Sequence, residues 1–202
     1  MTIDHIGAIL FPEYIVLRII GRLAFPLFCY LIVLGVESTR NIRNYFIRLL
    51  IFGFISQVPF YLALGYEPFE SLNIFFTLSF GILFFIHPLF MLLSICASYL
   101  LNFDYGPYGI ASIVAMYVLR NNTRDGIILI TILNTLSFFI SEIQPFSLLA
   151  LPIIFLHKNG FLKMERWANE EDSYPSWRKY FFYVYYPLHL AALHMIKVSL
   201  FP

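Results

Sequence analysis

Ionisable residues inside apolar segments of this 202-residue chain are few, and they fall in three places. Asp4 and His5 lie in the first such segment, Arg18 and Arg22 in the second, and His189 and His194 in the last. A charged group in that setting costs about 2.5–3.5 kcal/mol to insert, so each needs a partner or a task. Arg18 and Arg22 are four residues apart, share one helix face and repel each other unless an anion lies between them. Asp4 supplies one anion, which leaves a place for a ligand. A neutral histidine beside a carboxylate can take a proton from a hydroxyl or an amine, and arginines can hold an anionic group or a developing oxyanion. That combination is group-transfer chemistry. No serine or cysteine stands in a nucleophile motif, no histidines are paired at i, i+4 as metal ligands, and no glycine-rich phosphate loop is present, so hydrolysis and metal chemistry lack their usual parts.

Other polar side chains reach similar depth. Gln57, Asn73 and Thr77 lie in two further apolar segments, and His189 has Tyr185 and Tyr186 one turn before it on the same side. Together with the charged residues they predict a buried polar site. The competing reading is that buried ion pairs and interhelical hydrogen bonds merely hold helices together. It applies most to Gln57, Asn73 and Thr77, and to His194, which faces away from His189 at i+5.

The elements that must position these residues follow from composition. The chain is 60% hydrophobic, 19% aromatic and only 12% charged, with mean hydropathy +0.77, whereas soluble domains have about 25% charged residues. The bilayer is therefore the expected solvent, and the expected class is an all-α, polytopic membrane helix bundle forming one domain over residues 1–202. A net charge of +1, with basic residues in short clusters, gives no electrostatic footprint for nucleic acid. Cys29 and Cys96 fall in apolar runs and form neither a disulfide framework nor a metal site. Windows of about 20 apolar residues mark spans at 14–36, 46–64, 126–141 and 180–200. Shorter ones lie at 73–86, 88–101, 107–119 and 146–156, and residues 1–11 form half a span, so eight or nine segments are expected. The first of them looks truncated.

Charge placement sets the orientation. With the N-terminus inside, the loops carrying Arg40, Arg43 and Arg48, then Arg120 and Arg124, then Lys158, Lys163, Arg166, Arg178 and Lys179 share the cytoplasmic side of a cell membrane. The opposite loops carry Glu13, Glu67, Glu70, Asp104 and Glu142 without Lys or Arg. Merging the two short segments on either side of His87-Pro88 would move seven of those ten basic residues outside, so two spans are expected there. Residues 159–177 are the longest polar stretch and read as a cytoplasmic loop lying at the interface with membrane lipids. His5 and Arg22 then lie about 10 and 12 Å below the outer ends of their segments, at similar depth.

Several blocks resemble the TraX family. They are Asp4-His5-Ile6-Gly7, the run from Leu17-Arg18-Ile19-Ile20-Gly21-Arg22 through Phe28, Ser56-Gln57-Val58-Pro59-Phe60, Asn73-Ile74-Phe75-Phe76-Thr77-Leu78, Asn102-Phe103-Asp104-Tyr105-Gly106-Pro107-Tyr108-Gly109, and Phe182 through Leu190. The blocks occur in the same order and cover nearly the whole chain. The resemblance implies a membrane protein related to acetyltransferases, whose named member acetylates the N-terminal amine of a pilin subunit, and kinship with wider transmembrane acyltransferases. It implies acetyl-CoA as donor from the cytoplasm and no metal. Carried onto this chain, His5 is the catalytic base, Asp4 orients or charge-balances it, and Arg22 with Arg18 holds the thioester region or its oxyanion. Gln57, Asn73, Tyr186 and His189 would line the cavity, with Thr77 near it. Arg43 and Arg48 could hold the phosphates of CoA, as could Arg120 and Arg124. Family members carry about a dozen apolar residues before the Asp-His pair, so either the true start lies upstream of Met1 or the N-terminal half-helix has been lost. The acceptor stays open: a protein N-terminus, glycan, lipid or small amine. Two other classes also fit the buried charges, a proton-coupled transporter and a non-catalytic partner of pilus or secretion assembly, although paired broken-helix repeats are lacking for the former.

Overall fold

The computed structural model describes residues 1–139, 141–162 and 177–200. In chain order the elements are α1 (Thr2–Ile9), α2 (Ile15–Gly21), α3 (Ala24–Ser38), α4 (Ile42–Leu64), α5 (Ile74–Ile86), α6 (Phe90–Leu100), α7 (Gly106–Asn121), α8 (Thr123–Ser137), a 3-10 helix (Gln144–Ala150) leading into α9 (Leu151–Lys158), and α10 (Trp177–Leu200). The fold is all-α, as expected, with only one isolated bridge, between Leu72 and Phe103, among the described residues. Most of the interfacial loop expected over 159–177 lies outside the described residues.

Helix boundaries reflect local chemistry. Asn41, Asn73 and Asn122 cap α4, α5 and α8 by accepting from backbone N–H groups of the first turn. Gly65 closes α4 in the left-handed conformation. The residue before a proline is held out of the helical region, and His87 accordingly has extended backbone between α5 and α6. The expected break at His87-Pro88 is therefore a real one.

Two expected spans differ from the structure in regularity. The segment at 14–36, expected as one helix, is interrupted at Arg22-Leu23, where the N–H of Arg22 is shared between the Arg18 and Ile19 carbonyls and that of Leu23 reaches Ile20. Pro26 cannot donate to the Arg22 carbonyl, and the turn before it tightens. The segment at 146–156 likewise changes from 3-10 to α-helix at Leu151, because Pro152 has no N–H to continue a single ladder. Counted through the kink, Ile15–Ser38 and Ile42–Leu64 are both long and apolar enough to cross a membrane.

The core joins α3 to its neighbours through Phe25, Cys29, Tyr30 and Val33, packed with Leu78, Ile82, Ile113 and Leu119. Helix α4 packs on α5 and α10, and α7 packs on α3, α5 and α8. On its outer side α4 exposes Ile47, Ile51, Phe54, Ile55, Val58 and Leu62. Their spacing is one continuous helix face, and an apolar stripe of that length suits lipid rather than water.

The hairpin of α1 and α2 positions the charged residues, and two glycines permit it. A Cβ on Gly21 would lie 2.6 Å from the Asp4 Cα, and one on Gly7 would lie 2.8 Å from the Leu17 Cβ. Only glycine allows this approach. Gly21→Ala is expected to destabilise the protein by about 1–3 kcal/mol through overpacking, read as a lower midpoint of thermal unfolding in nanodiscs. Gly53→Ala, whose added methyl meets the Phe76 ring at 3.2 Å, should lower it less.

Candidate functional site

The close approach of α1 and α2 brings Asp4 against both arginines. Asp4 Oδ2 is 3.0 Å from Arg18 Nη1, and Asp4 Oδ1 is 4.0 Å from Arg22 Nη2. Arg18 Nη1 also donates to the Asp4 carbonyl at 3.2 Å. One carboxylate does not neutralise two guanidiniums, and Arg22 finds further acceptors elsewhere. Its Nη1 donates to Gln144 Oε1 at 3.2 Å and to Tyr105 Oη at 3.4 Å. Gln144 is held in turn, its Nε2 donating to Tyr108 Oη at 3.2 Å, while Tyr108 and Ser147 both donate to Asn134 Oδ1. Arg22 Nε remains buried with no hydrogen-bond partner.

The two histidines expected in the site form a directed pair. His189 Nδ1 lies 2.9 Å from the Tyr185 carbonyl, one turn earlier in α10. A carbonyl can only accept, so Nδ1 carries the proton and Nε2 of the neutral ring has the lone pair. That Nε2 lies 2.8 Å from His5 Nδ1, which must therefore donate. His5 is left with an unprotonated Nε2, and the geometry fixes this tautomer. The rings of Tyr185, His189 and His5 are stacked at centroid distances of 5.1 and 5.0 Å. Both histidines are buried, whereas His194 makes no bond with either.

A cavity of about 260 Å³ opens beside this pair. Asp4, His5, Arg18, Arg22 and Tyr186 line it, together with Tyr66, Asp104 and Tyr105. Charge statistics along the sequence put Asp104 in an outer loop, and they give no sign of Tyr105 and Gln144 as neighbours of Arg22. The loop between α6 and α7 turns sharply, with positive φ at Asn102, Tyr105 and Gly106, which aims Asp104 back at the helices. The Asn102-Phe103-Asp104-Tyr105-Gly106 stretch carries the turn signal, in its Asn and Gly, but not the direction. Burial in the cavity wall pushes the Asp104 carboxyl up to about 6, opposed by Arg22, with Asp4 adding to the rise.

Gln57, Asn73 and Thr77, expected around the site, are near it but do not line the cavity, and His189, also expected in its lining, stands behind His5. Gln57 Oε1 accepts from Asn73 N–H and from Asn73 Nδ2, while Gln57 Nε2 donates to the Ser71 carbonyl at 2.7 Å. Asn73 Nδ2 also reaches the Gly53 carbonyl, and its Oδ1 caps α5. Thr77 donates to the Asp104 carbonyl. These three residues bind backbone and hold the loops behind the cavity wall. Arg43 and Arg48 lie at the opposite end of α4 from Phe60 and Leu64, which line the cavity. Arg43 is exposed, and Arg48 lies over the rings of Tyr45 and Tyr183 at 5.5 and 5.8 Å.

A family model and one known protein resemble this chain over most of its length. The family model described as TraX protein matches residues 1–197. The chain is 29% identical over 236 residues to the probable fimbrial assembly protein FimC, serogroup H1, of Dichelobacter nodosus, an alignment covering 99% of this chain and 92% of that protein. It is also 37% identical over 81 residues to the uncharacterized protein RP591 of Rickettsia prowazekii (strain Madrid E), covering 40% of this chain and 30% of that one. No solved structure matches the chain.

The hydrogen-bond closure of Gln57 and Asn73 has a measurable consequence. Gln57→Leu leaves the Asn73 N–H and side-chain amide without their shared acceptor, and is expected to cost about 1–3 kcal/mol, seen as a lowered unfolding midpoint of the purified protein. An unchanged midpoint would mean that the pair does not hold the loop.

Proposed function

Since the chain belongs to the TraX family, we propose that it is an integral membrane acetyltransferase, carrying acetyl from cytoplasmic acetyl-CoA to an amine or hydroxyl acceptor. The observation that carries this reading is the relay from the Tyr185 carbonyl through His189 to His5, which leaves the basic Nε2 of His5 beside a cavity walled by two arginines.

In this mechanism His5 Nε2 takes the proton from the acceptor nitrogen or oxygen as that atom attacks the thioester carbonyl. The new bond forms to the carbonyl carbon, the C–S bond breaks, and the leaving thiolate receives the proton from His5. His189 holds the ring of His5 and stabilises its cationic form, since its own Nε2 keeps the hydrogen bond. Negative charge develops on the carbonyl oxygen, and the Arg22 guanidinium in the cavity wall is a donor suited to it. Asp4 keeps the arginines from repelling each other.

The donor's side is the end of α4 that carries Arg43 and Arg48, with the N-terminus and basic loops in the cytoplasm and several helices spanning the membrane. Below Arg48 an apolar cavity of about 190 Å³ is lined by Tyr45, Leu49 and Tyr183, and it shares Met1, Phe28, Ile74 and Tyr186 with the polar cavity. A slender thioester arm entering there ends beside His5, with its phosphates near the arginines. The name of the Dichelobacter relative favours a pilus context, in which a pilin N-terminus is one acceptor.

The test is acetyl-CoA turnover by the full chain in nanodiscs. His5→Ala is expected to lower turnover at least about 100-fold while CoA still binds, and Arg43→Gln with Arg48→Gln is expected to weaken CoA binding about 10-fold with the unfolding midpoint retained. Wild-type protein that neither binds CoA nor turns it over would overturn the reading in favour of solute transport or an assembly role.

A further inference from the structure

The turn Asn102-Phe103-Asp104-Tyr105-Gly106 holds a tyrosine at a position that glycine or asparagine would suit better. Tyr105 has φ 63° and ψ −8°, and Gly106 after it has φ 44°. The left-handed region is unfavourable for a bulky side chain, and such a conformation persists only where its surroundings over-determine it. Here they do so from both ends of the residue. The Asp104 N–H donates to the Leu72 carbonyl at 2.7 Å, and the Tyr105 carbonyl accepts from the Gly109 N–H at 2.9 Å in the first turn of α7. The Tyr105 ring lies on that of Phe25, with centroids 3.7 Å apart and planes 5° from parallel, and Phe25 is itself buried in the core.

The ring held in this way lines the polar cavity together with His5, Arg18 and Arg22. Tyr105 Oη accepts from Arg22 Nη1 at 3.4 Å, and the guanidinium carbon stands 5.9 Å from the ring centroid. A phenol oxygen that accepts from a guanidinium still has its own proton to donate. Among the described residues no acceptor takes that proton; Gln144, the other partner of Arg22, turns its amide to Tyr108. Burial pushes the Tyr105 hydroxyl up, with Asp104 adding to the rise and Arg22 opposing it, so the group keeps its proton and is a donor rather than a phenolate. Arg18 and Arg22 act electrostatically on both His5 and Tyr105. The base and the phenol therefore face the same pair of charges.

We propose that Tyr105 is a catalytic residue of this site, its hydroxyl donating a hydrogen bond to the thioester carbonyl oxygen as negative charge develops there. The proposal rests on the acetyl-transfer reading and adds a neutral donor to the guanidinium of Arg22, so that the oxygen is met from the α6–α7 loop as well as from α2. The acceptor atom forms its bond to the carbonyl carbon, the π pair of the carbonyl moves onto oxygen, and His5 Nε2 takes the acceptor's proton. When that pair returns, the C–S bond breaks and the thiolate receives the proton from His5. The phenol proton stays on Tyr105 throughout and serves to stabilise the charged oxygen.

This role accounts for a tyrosine in the left-handed turn. A glycine at 105 would relieve the backbone and lose both the stack on Phe25 and the donor, whereas the constrained backbone and the stacked ring hold the hydroxyl in place before any substrate arrives. Donors fixed in advance at the charged oxygen need no rearrangement at the moment of reaction.

The experiment uses the full chain in nanodiscs with acetyl-CoA. Tyr105→Phe keeps the stack on Phe25 and the ring beside Arg22 and removes the hydroxyl alone. Turnover is read as CoA release, with water or the tripeptide Ala-Gly-Gly as acceptor. The contact is read without turnover, from the isotope-edited infrared band of the ¹³C-labelled thioester carbonyl, which moves to lower frequency when donors meet its oxygen. Expected for Tyr105→Phe is a kcat about 100-fold lower with the acetyl-CoA KM retained, and loss of part of the carbonyl shift seen in wild type. A fluorinated tyrosine at 105, a stronger donor with the native hydroxyl in place, should enlarge that shift. Tyr108→Phe loosens the support of Arg22 through Gln144 without removing a group from the polar cavity, and should lower kcat far less. Equal losses in Tyr105→Phe and Tyr108→Phe would overturn the proposal and make Tyr105 a positioning residue of Arg22, and so would a carbonyl band that neither change at 105 moves. A band that depends on Tyr105 without any CoA release from wild type would sustain the contact and defeat the acetyl-transfer reading. Wild-type protein that binds no acetyl-CoA would overturn both.

Discussion

Two guanidiniums on one face of one helix, in a bundle this apolar, are the constraint around which the structure is arranged. Arg18 and Arg22 cannot lie side by side without an anion, and an anion close in sequence lies on the preceding helix. Bringing Asp4 between them requires α1 and α2 to touch backbone to backbone, which Gly7 and Gly21 allow. Once that contact is made, His5 is carried with Asp4 to the same level, one residue further round α1. The placement of the histidine is thus a by-product of balancing the arginines.

Arg22 receives only the longer of the two contacts from Asp4. Its remaining donors draw in Gln144 and Tyr105, and through Gln144 they reach Tyr108, Asn134 and Ser147. This chain of hydrogen bonds crosses from α2 to the 3-10 helix, α7 and α8. It gives the irregular 144–150 segment a set of partners that a regular apolar helix at that position would not have. Polar satisfaction of a single arginine thereby fixes elements far apart in sequence, consistent with the high cost of leaving buried donors unmade.

Legibility from the sequence varies with the range of the interaction. Helix positions and the break at His87-Pro88 follow from apolar runs and turn chemistry within a few residues. The joining of Asp4 and His5 to Arg18 and Arg22 is legible because a short turn links the two helices. The pairing of His5 with His189 is partly legible, as two histidines at compatible depth, but the direction of the hydrogen bond depends on the Tyr185 carbonyl and needs coordinates. Gln57, Asn73 and Thr77 are legible as buried polar residues; that they spend their hydrogen bonds on backbone is not, because a side chain's partner in a loop leaves no periodic trace. Asp104 and Gln144 are the hardest. An acidic residue in a loop between two spans marks the outer face by charge statistics, and only the positive φ values on both sides of it turn that carboxylate inward.

The two cavities divide the labour of an apolar bundle. One is lined by charge and the other by aromatic and aliphatic side chains, and they meet at Met1, Phe28, Ile74 and Tyr186. On the acetyl-transfer reading, an uncharged thioester arm can occupy the apolar side without desolvating its phosphates, which stay at the Arg48 end of α4. The acceptor, which must change its protonation state, meets only the polar side. His5 stands between them, lining the polar cavity and meeting the Tyr186 ring that borders both edge-on. A base in that position can reach a proton on one side and a leaving thiolate on the other. A cluster of charges dispersed through the bundle could not do this, since each would then need its own counter-ion in place of a shared one. Concentrating the charge on one pair of helices keeps the rest of the interior apolar enough to exclude water from the thioester.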